Sequence, residues 1–347
     1  MKRFWMMVLA PMGVTLPWMV WTQSALAAPL VIRVAHMPNV THAQAVVGRA
    51  KHWFEDKLGN DVTLKWQSLN AGPSIIEGIF GDQIDIAYVG PGPAINGFVK
   101  SDGEALRIVA GAASGGAAFV VRKGAGIQSE KNLPGKKIAT PQLGNTQDIA
   151  LRSWLAQLGL KSKEKGGTVT VLPISNPDQL TLFQKGALDG AWTVEPWVTR
   201  LVQEGGGEVL LDESKLWTST DGKYATTLLV VRKKFLDEHP KVVRDWVNAH
   251  VQLTVWLNAN KPEAIALFNK ELGKEIGKPL PEKVLQGAFA NLEFTANPLT
   301  RSVFQDAKLA HDLGFLGKRK PNLKNLFNLE FLQGILQISF DIVSNAY

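Results

Sequence analysis

Ile84-Asp85-Ile86-Ala87-Tyr88-Val89 followed by Gly90-Pro91-Gly92-Pro93 is a short β-like run that ends in a tight turn, with a helical stretch after it. The unit recurs along the chain. Leu30 to Ala35 reads as a strand. A helix starts at Thr41 or His42 and carries Val46, Val47, Ala50, Trp53, Phe54 and Leu58 at helical spacing until Gly59-Asn60. Val62 to Leu69 alternates like a strand, and Ser74 can cap a helix that runs to Gly81-Asp82. Leu106 to Gly111 and Ala117 to Val121 are further strands. A second unit opens near Lys123, with strands at 136–140, 168–173 and 190–192 and helices at 147–158 and 177–185. The chain returns to strand at Thr226 to Val231 and is mainly helical from Pro240. Strand and helix in alternation predict an α/β fold of mostly parallel sheets flanked by helices.

Four polar stretches sit where helices are expected: 38–42, 71–74, 142–147 and 192–197. A helix start has unpaired N–H groups, and the helix dipole points the same way, so it attracts anions. In sheets of this type, ligands lie beyond the carboxyl ends of the strands. Several such starts facing one cleft predict a receptor for a small anion or zwitterion.

The N-terminus reads as an export signal. Lys2 and Arg3 precede an apolar run from Phe4 to Trp21, and Ala25-Leu26-Ala27 fits a cleavage site. The chain has no Cys, which excludes a lipid-linked cysteine, disulfides, thiolate metal sites and cysteine nucleophiles. Cleavage after residue 27 removes two cations and lowers the net charge from +7 to +5. The densest basic runs, Lys161-Ser162-Lys163-Glu164-Lys165 and Lys318-Arg319-Lys320, lack interleaved aromatics and do not predict nucleic-acid binding. Gly90-Pro91-Gly92-Pro93 lacks the lysine of a phosphate loop.

Five stretches, in order, resemble the nitrate/sulfonate/taurine group of bacterial solute-binding proteins, closest to its aliphatic-sulfonate members. They are Pro38-Asn39-Val40-Thr41-His42-Ala43, Asn70-Ala71-Gly72-Pro73, residues 85–96, residues 136–148, and Leu188-Asp189-Gly190-Ala191-Trp192-Thr193-Val194-Glu195-Pro196-Trp197. The resemblance implies a two-lobe periplasmic-binding (type II-like) fold that closes by hinge bending. Residues 28–120 and 225–347 would form one lobe and 121–224 the other, behind a signal peptide at 1–27. The crossovers are expected at Ala118 to Arg122 and Ala225 to Val231. It also implies a monomer in the periplasm that passes its ligand to an ABC-transporter permease with its ATPase, without cofactor or metal.

Carried residue by residue, the resemblance places ligand contacts at Asn39, Thr41 and His42, at Gly72, Pro73 and Ser74, and at Gly90, Pro91 and Gly92. Ser114 and Gly115 would follow. Gln142, Gly144, Asn145, Thr146, Gln147, Trp192 and Glu195 would come from the second lobe. Trp192 is expected as a cleft wall and Trp197 as core. Tyr88 and Phe119 are expected beside Trp192 as apolar groups around the ligand. Thr146 can cap its helix. Glu195 either faces the cleft, where it would pair with a cationic part of the ligand, or caps the following turn. No arginine clamp stands at these turns, which suits a monoanion. His36 and His42 lack an acid or Cys at metal-ligand spacing. Asp85 and Asp189 read as residues that fix local turns.

Binders of nitrate or of a thiamine-precursor pyrimidine share the scaffold, as do enzymes. Those enzymes rely on cysteine, and no Ser–His or Asp–His spacing here replaces it. A sensory receptor domain differs from a transport receptor only in its neighbours.

Overall fold

The computed structural model describes residues 29–340 and Met1. The leader read over residues 1–27 otherwise lies outside the described residues. No helix among them is long and apolar enough to cross a membrane.

The strands are β1 (Leu30–His36), β2 (Val62–Ser68), β3 (Ile86–Val89), β4 (Leu106–Gly115), β5 (Ala117–Arg122), β6 (Lys137–Thr140), β7 (Thr170–Pro173), β8 (Gly190–Val194), β9 (Gly207–Asp212), β10 (Ala225–Arg232) and β11 (Leu292–Phe294). They form two sheets. The first runs β11-β4-β10-β3-β1-β2 and the second β7-β6-β8-β5-β9. β1 is parallel to β2 and β3, and β6 to β7 and β8. The remaining pairs are antiparallel, because β4, β5, β9 and β10 carry the chain out of one sheet and into the other.

The passages do not fall where expected. Residues 118–122 belong wholly to β5 in the second sheet, and 225–231 to β10 in the first. The chain crosses at Gly115-Gly116, whose φ values of 80° and 77° suit residues without a Cβ. It returns between Asp212 and Ala225.

The helices are α1 (Ala43–Ala50), α2 (Trp53–Leu58), α3 (Gly72–Phe80), α4 (Pro91–Lys100), α5 (Thr146–Gln157), α6 (Asn176–Gln184), α7 (Trp197–Gln203), α8 (Lys233–Glu238), α9 (Pro240–Ala259), α10 (Lys261–Ile276), α11 (Glu282–Ala290), α12 (Thr300–Asp312) and α13 (Glu330–Leu336). The single helix expected from Thr41 to Leu58 is broken at His52, which sits at φ 52°. Gly90 is not part of a free turn; it directly precedes α4, with Pro91 and Pro93 in the first turn, where proline's missing N–H costs nothing. Ser74 does not cap α3, which already begins at Gly72.

Side chains alternate across β5. Phe119 and Val121 pack on one face with Trp154 and Trp192, while Ala118 and Val120 pack on the other with Phe183 and Leu201. The first sheet has its own core, in which Trp246 stacks on Phe54 at 4.1 Å. With the cores on the sheet faces, the carboxyl ends of β1, β3, β6 and β8 are left free to face a common cleft.

Candidate functional site

Helix starts from both lobes border one cavity. The first lobe contributes Asn39, Thr41 and His42 around the 3-10 turn Val40–His42, Gly72 at the start of α3, and Gly90 just before α4. The second contributes Asn145, Thr146 and Gln147 at the start of α5, and Asn176 at the start of α6. The cavity has a volume of about 20 Å³, room for about one or two waters. No Asp, Glu, Lys or Arg lines it among the described residues.

The polar side chains are held in one sense. Asn39 Oδ1 accepts 3.0 Å from the Trp197 indole, Asn145 Oδ1 accepts 2.9 Å from the Asp148 backbone N–H, and Asn176 Oδ1 accepts 2.9 Å from the Thr193 hydroxyl. With each carbonyl oxygen engaged inside the protein, each amide keeps at least one NH₂ proton to give, Asn145 directing its other toward Gln147 Oε1 at 3.5 Å. His42 Nδ1 accepts from the Met37 backbone N–H at 3.4 Å, which leaves the proton of the neutral ring on Nε2. Burial, with His36 nearby, pushes the His42 imidazole well below its usual 6.5 and keeps it neutral. The Thr146 hydroxyl accepts from Gly92 N–H at 3.2 Å, so its own proton is free for another partner. The site is therefore built of neutral donors beside helix starts.

The start of α5 is braced from below. Asp148 accepts from Thr140 at 2.8 Å, from Gly144 N–H at 2.9 Å and from Arg152 at 2.9 Å. Asn145, not Thr146, supplies the capping oxygen.

Several expected contacts lie elsewhere. Pro73, Ser74, Pro91, Gly92, Ser114, Gly115, Gln142 and Gly144 do not line the cavity. Gly92 instead allows α4 to approach α5, as does the cavity-lining Gly90, on which a Cβ would collide with the Thr146 hydroxyl. Ser114 pairs with Ala225 and Glu293 inside the sheet, and Gly115 belongs to the crossing. Trp192 is no cleft wall. It lies below the end of β8, fully buried, stacked on Phe119 and donating to Glu213 at 2.7 Å. Tyr88 and Phe119 are equally buried in their own cores, with Tyr88 Oη 3.0 Å from His250 Nδ1. Trp197 is core, as expected, but its N–H crosses to Asn39.

Glu195 faces away from the cavity. Its carboxylate accepts from Thr199 N–H at 3.1 Å, Thr199 Oγ1 at 2.9 Å and Asn291 Nδ2 at 2.7 Å. Burial raises its pKa, and these bonds offset that only in part. Glu195→Gln should therefore shift the affinities for taurine and ethanesulfonate equally while lowering stability by about 1–3 kcal/mol, the cost of disturbing a buried acceptor. Paired titrations and a urea melt measure both; a selective loss of taurine binding would return Glu195 to the cleft.

Met37, Asn70, Pro93, Pro141, Asn176, Val194 and Thr226 also line the cavity, and none of them is among the expected contacts. Asn176 was legible: Ile174-Ser175-Asn176-Pro177-Asp178 has the same strand–turn–proline punctuation as the other helix starts. Thr226 and Val194 gave no signal, because they are ordinary strand residues that happen to reach the cleft.

The NMT1-like family matches residues 27–270. A Bacillus subtilis (strain 168) protein named for aliphatic-sulfonate binding is 26% identical over 84% of this chain and 84% of its own. The taurine-binding periplasmic protein of Escherichia coli (strain K12) is 27% identical over 68% of this chain and 71% of its own. Among solved structures, the alkanesulfonate-binding protein of Xanthomonas axonopodis pv. citri bound to MOPS superposes with a TM-score of 0.72 at 20% identity. That match covers 87% of this chain and 99% of that one. These likenesses agree with the two-lobe α/β architecture.

Proposed function

The chain belongs to the NMT1-like family, and from that premise we propose that it is an extracytoplasmic solute-binding protein for a small monovalent oxyanion of the aliphatic-sulfonate class. It would act in the periplasm behind a cleaved leader, close its lobes on the ligand, and deliver it to an ABC importer's permease and ATPase. The observation that carries this is the donor set: three amides with their oxygens engaged, a neutral His42 and the Thr146 hydroxyl, with no lysine or arginine. A monoanion needs donors and dipoles; a dianion would need a counter-charge. A taurine-like ammonium finds no carboxylate here, so a plain sulfonate fits better than a zwitterion. Among the described residues no threonine hydroxyl of the cavity is hydrogen-bonded to His42, and the relatives named above are named as binding proteins.

The small cavity favours a second reading, a compact inorganic anion such as nitrate. A thermal-shift and titration panel separates the two. Ethanesulfonate at about 100 times its dissociation constant should add about 2.7 kcal/mol of stability. Taurine should bind more weakly. Because His42 stays neutral, the ethanesulfonate affinity should be flat as pH passes through 6.5, where a free histidine titrates. Stabilisation by nitrate alone would transfer the assignment to nitrate, and silence from every anion would overturn the receptor reading.

A further inference from the structure

A second opening between the lobes has a mostly apolar bed and shares no lining residue with the small cavity. It measures about 370 Å³, within the range of small-molecule pockets. The second lobe supplies Leu143 and, from α5, Leu155; the first supplies Phe315, just beyond α12. Leu143 is 56% exposed, an apolar side chain left largely to solvent. Lys161 and Lys165 line the same opening, both exposed, and neither forms an ion pair among the described residues. The other charges at its edge form one cluster, in which Arg152 pairs with Glu164 and with buried Asp148, one cation against two carboxylates. The groove thus combines an apolar bed with two unpaired lysines on flexible stems, and with Arg152, Glu164 and Asp148 counted it carries a net charge of +1.

We propose that this groove binds a single-chain amphiphilic anion, an alkyl chain with one carboxylate or sulfonate head. The chain would lie on Leu143, Leu155 and Phe315, and the head would meet Lys161 and Lys165. Apolar burial is non-directional and grows with each methylene, whereas a lysine ammonium on its long stem can follow a head that is not rigidly placed. A neutral lipid would leave the lysines without a function, and a cationic amphiphile would be repelled by them. The proposal stands apart from the capture reading, although α5 serves both places: its first turn lines the small cavity and its later turns floor the groove.

The test is calorimetric titration of the full chain with hexanoate, octanoate, decanoate and decanesulfonate below their micelle concentrations, with decyltrimethylammonium as the cationic control. Affinity should rise about fourfold per methylene. The double variant Lys161→Glu/Lys165→Glu should weaken decanoate on the order of tenfold or more, since attraction becomes repulsion. Ethanesulfonate affinity should not change in it. Phe315→Ala should shallow the chain-length slope, which a purely electrostatic surface site would not show. Binding of both heads, or of either alone, supports the groove and distinguishes a free fatty carboxylate from an overlong sulfonate as its source. No saturable binding, no dependence on chain length, decyltrimethylammonium binding as tightly as decanoate, or an unaffected double variant would overturn it.

Discussion

Asn176→Asp should lower ethanesulfonate affinity by about a hundredfold or more and leave the fold intact. The two side chains have the same shape, and the aspartate can still accept the 2.9 Å hydrogen bond from Thr193. What changes is the other end. The NH₂ group beside the cavity becomes a carboxylate oxygen, so a donor to a charged ligand is lost, about 1.5–3 kcal/mol. A like charge is also set against the ligand, which costs several kcal/mol more. Titration gives the affinity, and a melting curve shows whether the protein remains folded. Thr193→Val is the companion variant. It frees the Asn176 amide to turn over and should weaken binding less, because one rotamer still presents the donor. A folded Asn176→Asp protein that binds within about tenfold of the parent would remove α6 from the site.

Asp85→Ala should destabilise the protein by about 3–5 kcal/mol, the range for removing one partner of a buried ion pair. Asp85 is fully buried just before β3. Its carboxylate accepts from Arg33 N–H at 2.9 Å, Arg33 Nε at 2.8 Å and Arg232 at 2.6 Å, and so ties β1 and β10 to the start of β3. Truncation leaves the Arg232 guanidinium, itself nearly buried, with the exposed Asp82 as its remaining carboxylate. Burial pushes the Asp85 carboxyl up, but the bonds from Arg33 and Arg232 outweigh it and hold the group below its ordinary 3.8. A depressed folded pKa means stability that is present above 3.8 and is lost as pH falls through the folded value. The gap between parent and variant in urea melts should therefore be full at neutral pH and shrink in strong acid. A gap below about 1 kcal/mol at neutral pH would show that the arginines find other partners.

Sequence alone marks Asp85 as a residue that fixes a turn; its larger part in joining three strands depends on Arg33 and Arg232, which only the fold brings to it. Local punctuation was legible: Gly72-Pro73, Gly90-Pro91 and Asn145-Thr146 mark helix starts because proline, glycine and asparagine suit those backbone positions. The direction of a side chain was not. Trp192 and Val194 lie two residues apart on β8, yet only Val194, at the strand's end, reaches the cleft. Depth along a strand depends on where the neighbouring strands stop. Glu195 adjoins the cavity-lining Val194 in sequence, but Thr199 on the next helix and Asn291, distant in the chain, together turn its carboxylate away. The crossing at Gly115-Gly116 escaped because apolar strands run on both sides of it, so the pattern shows no seam.

Among the indole hydrogen bonds of the described residues, that of Trp197 is the one that joins the two lobes, while those of Trp53, Trp66, Trp192 and Trp217 stay within one. Any parting of the lobes that separates Trp197 from Asn39 exchanges this bond for water. Indole emission is sensitive to that exchange. The protein thus contains its own optical gauge of lobe position, and Trp197→Phe would identify which part of the emission carries it.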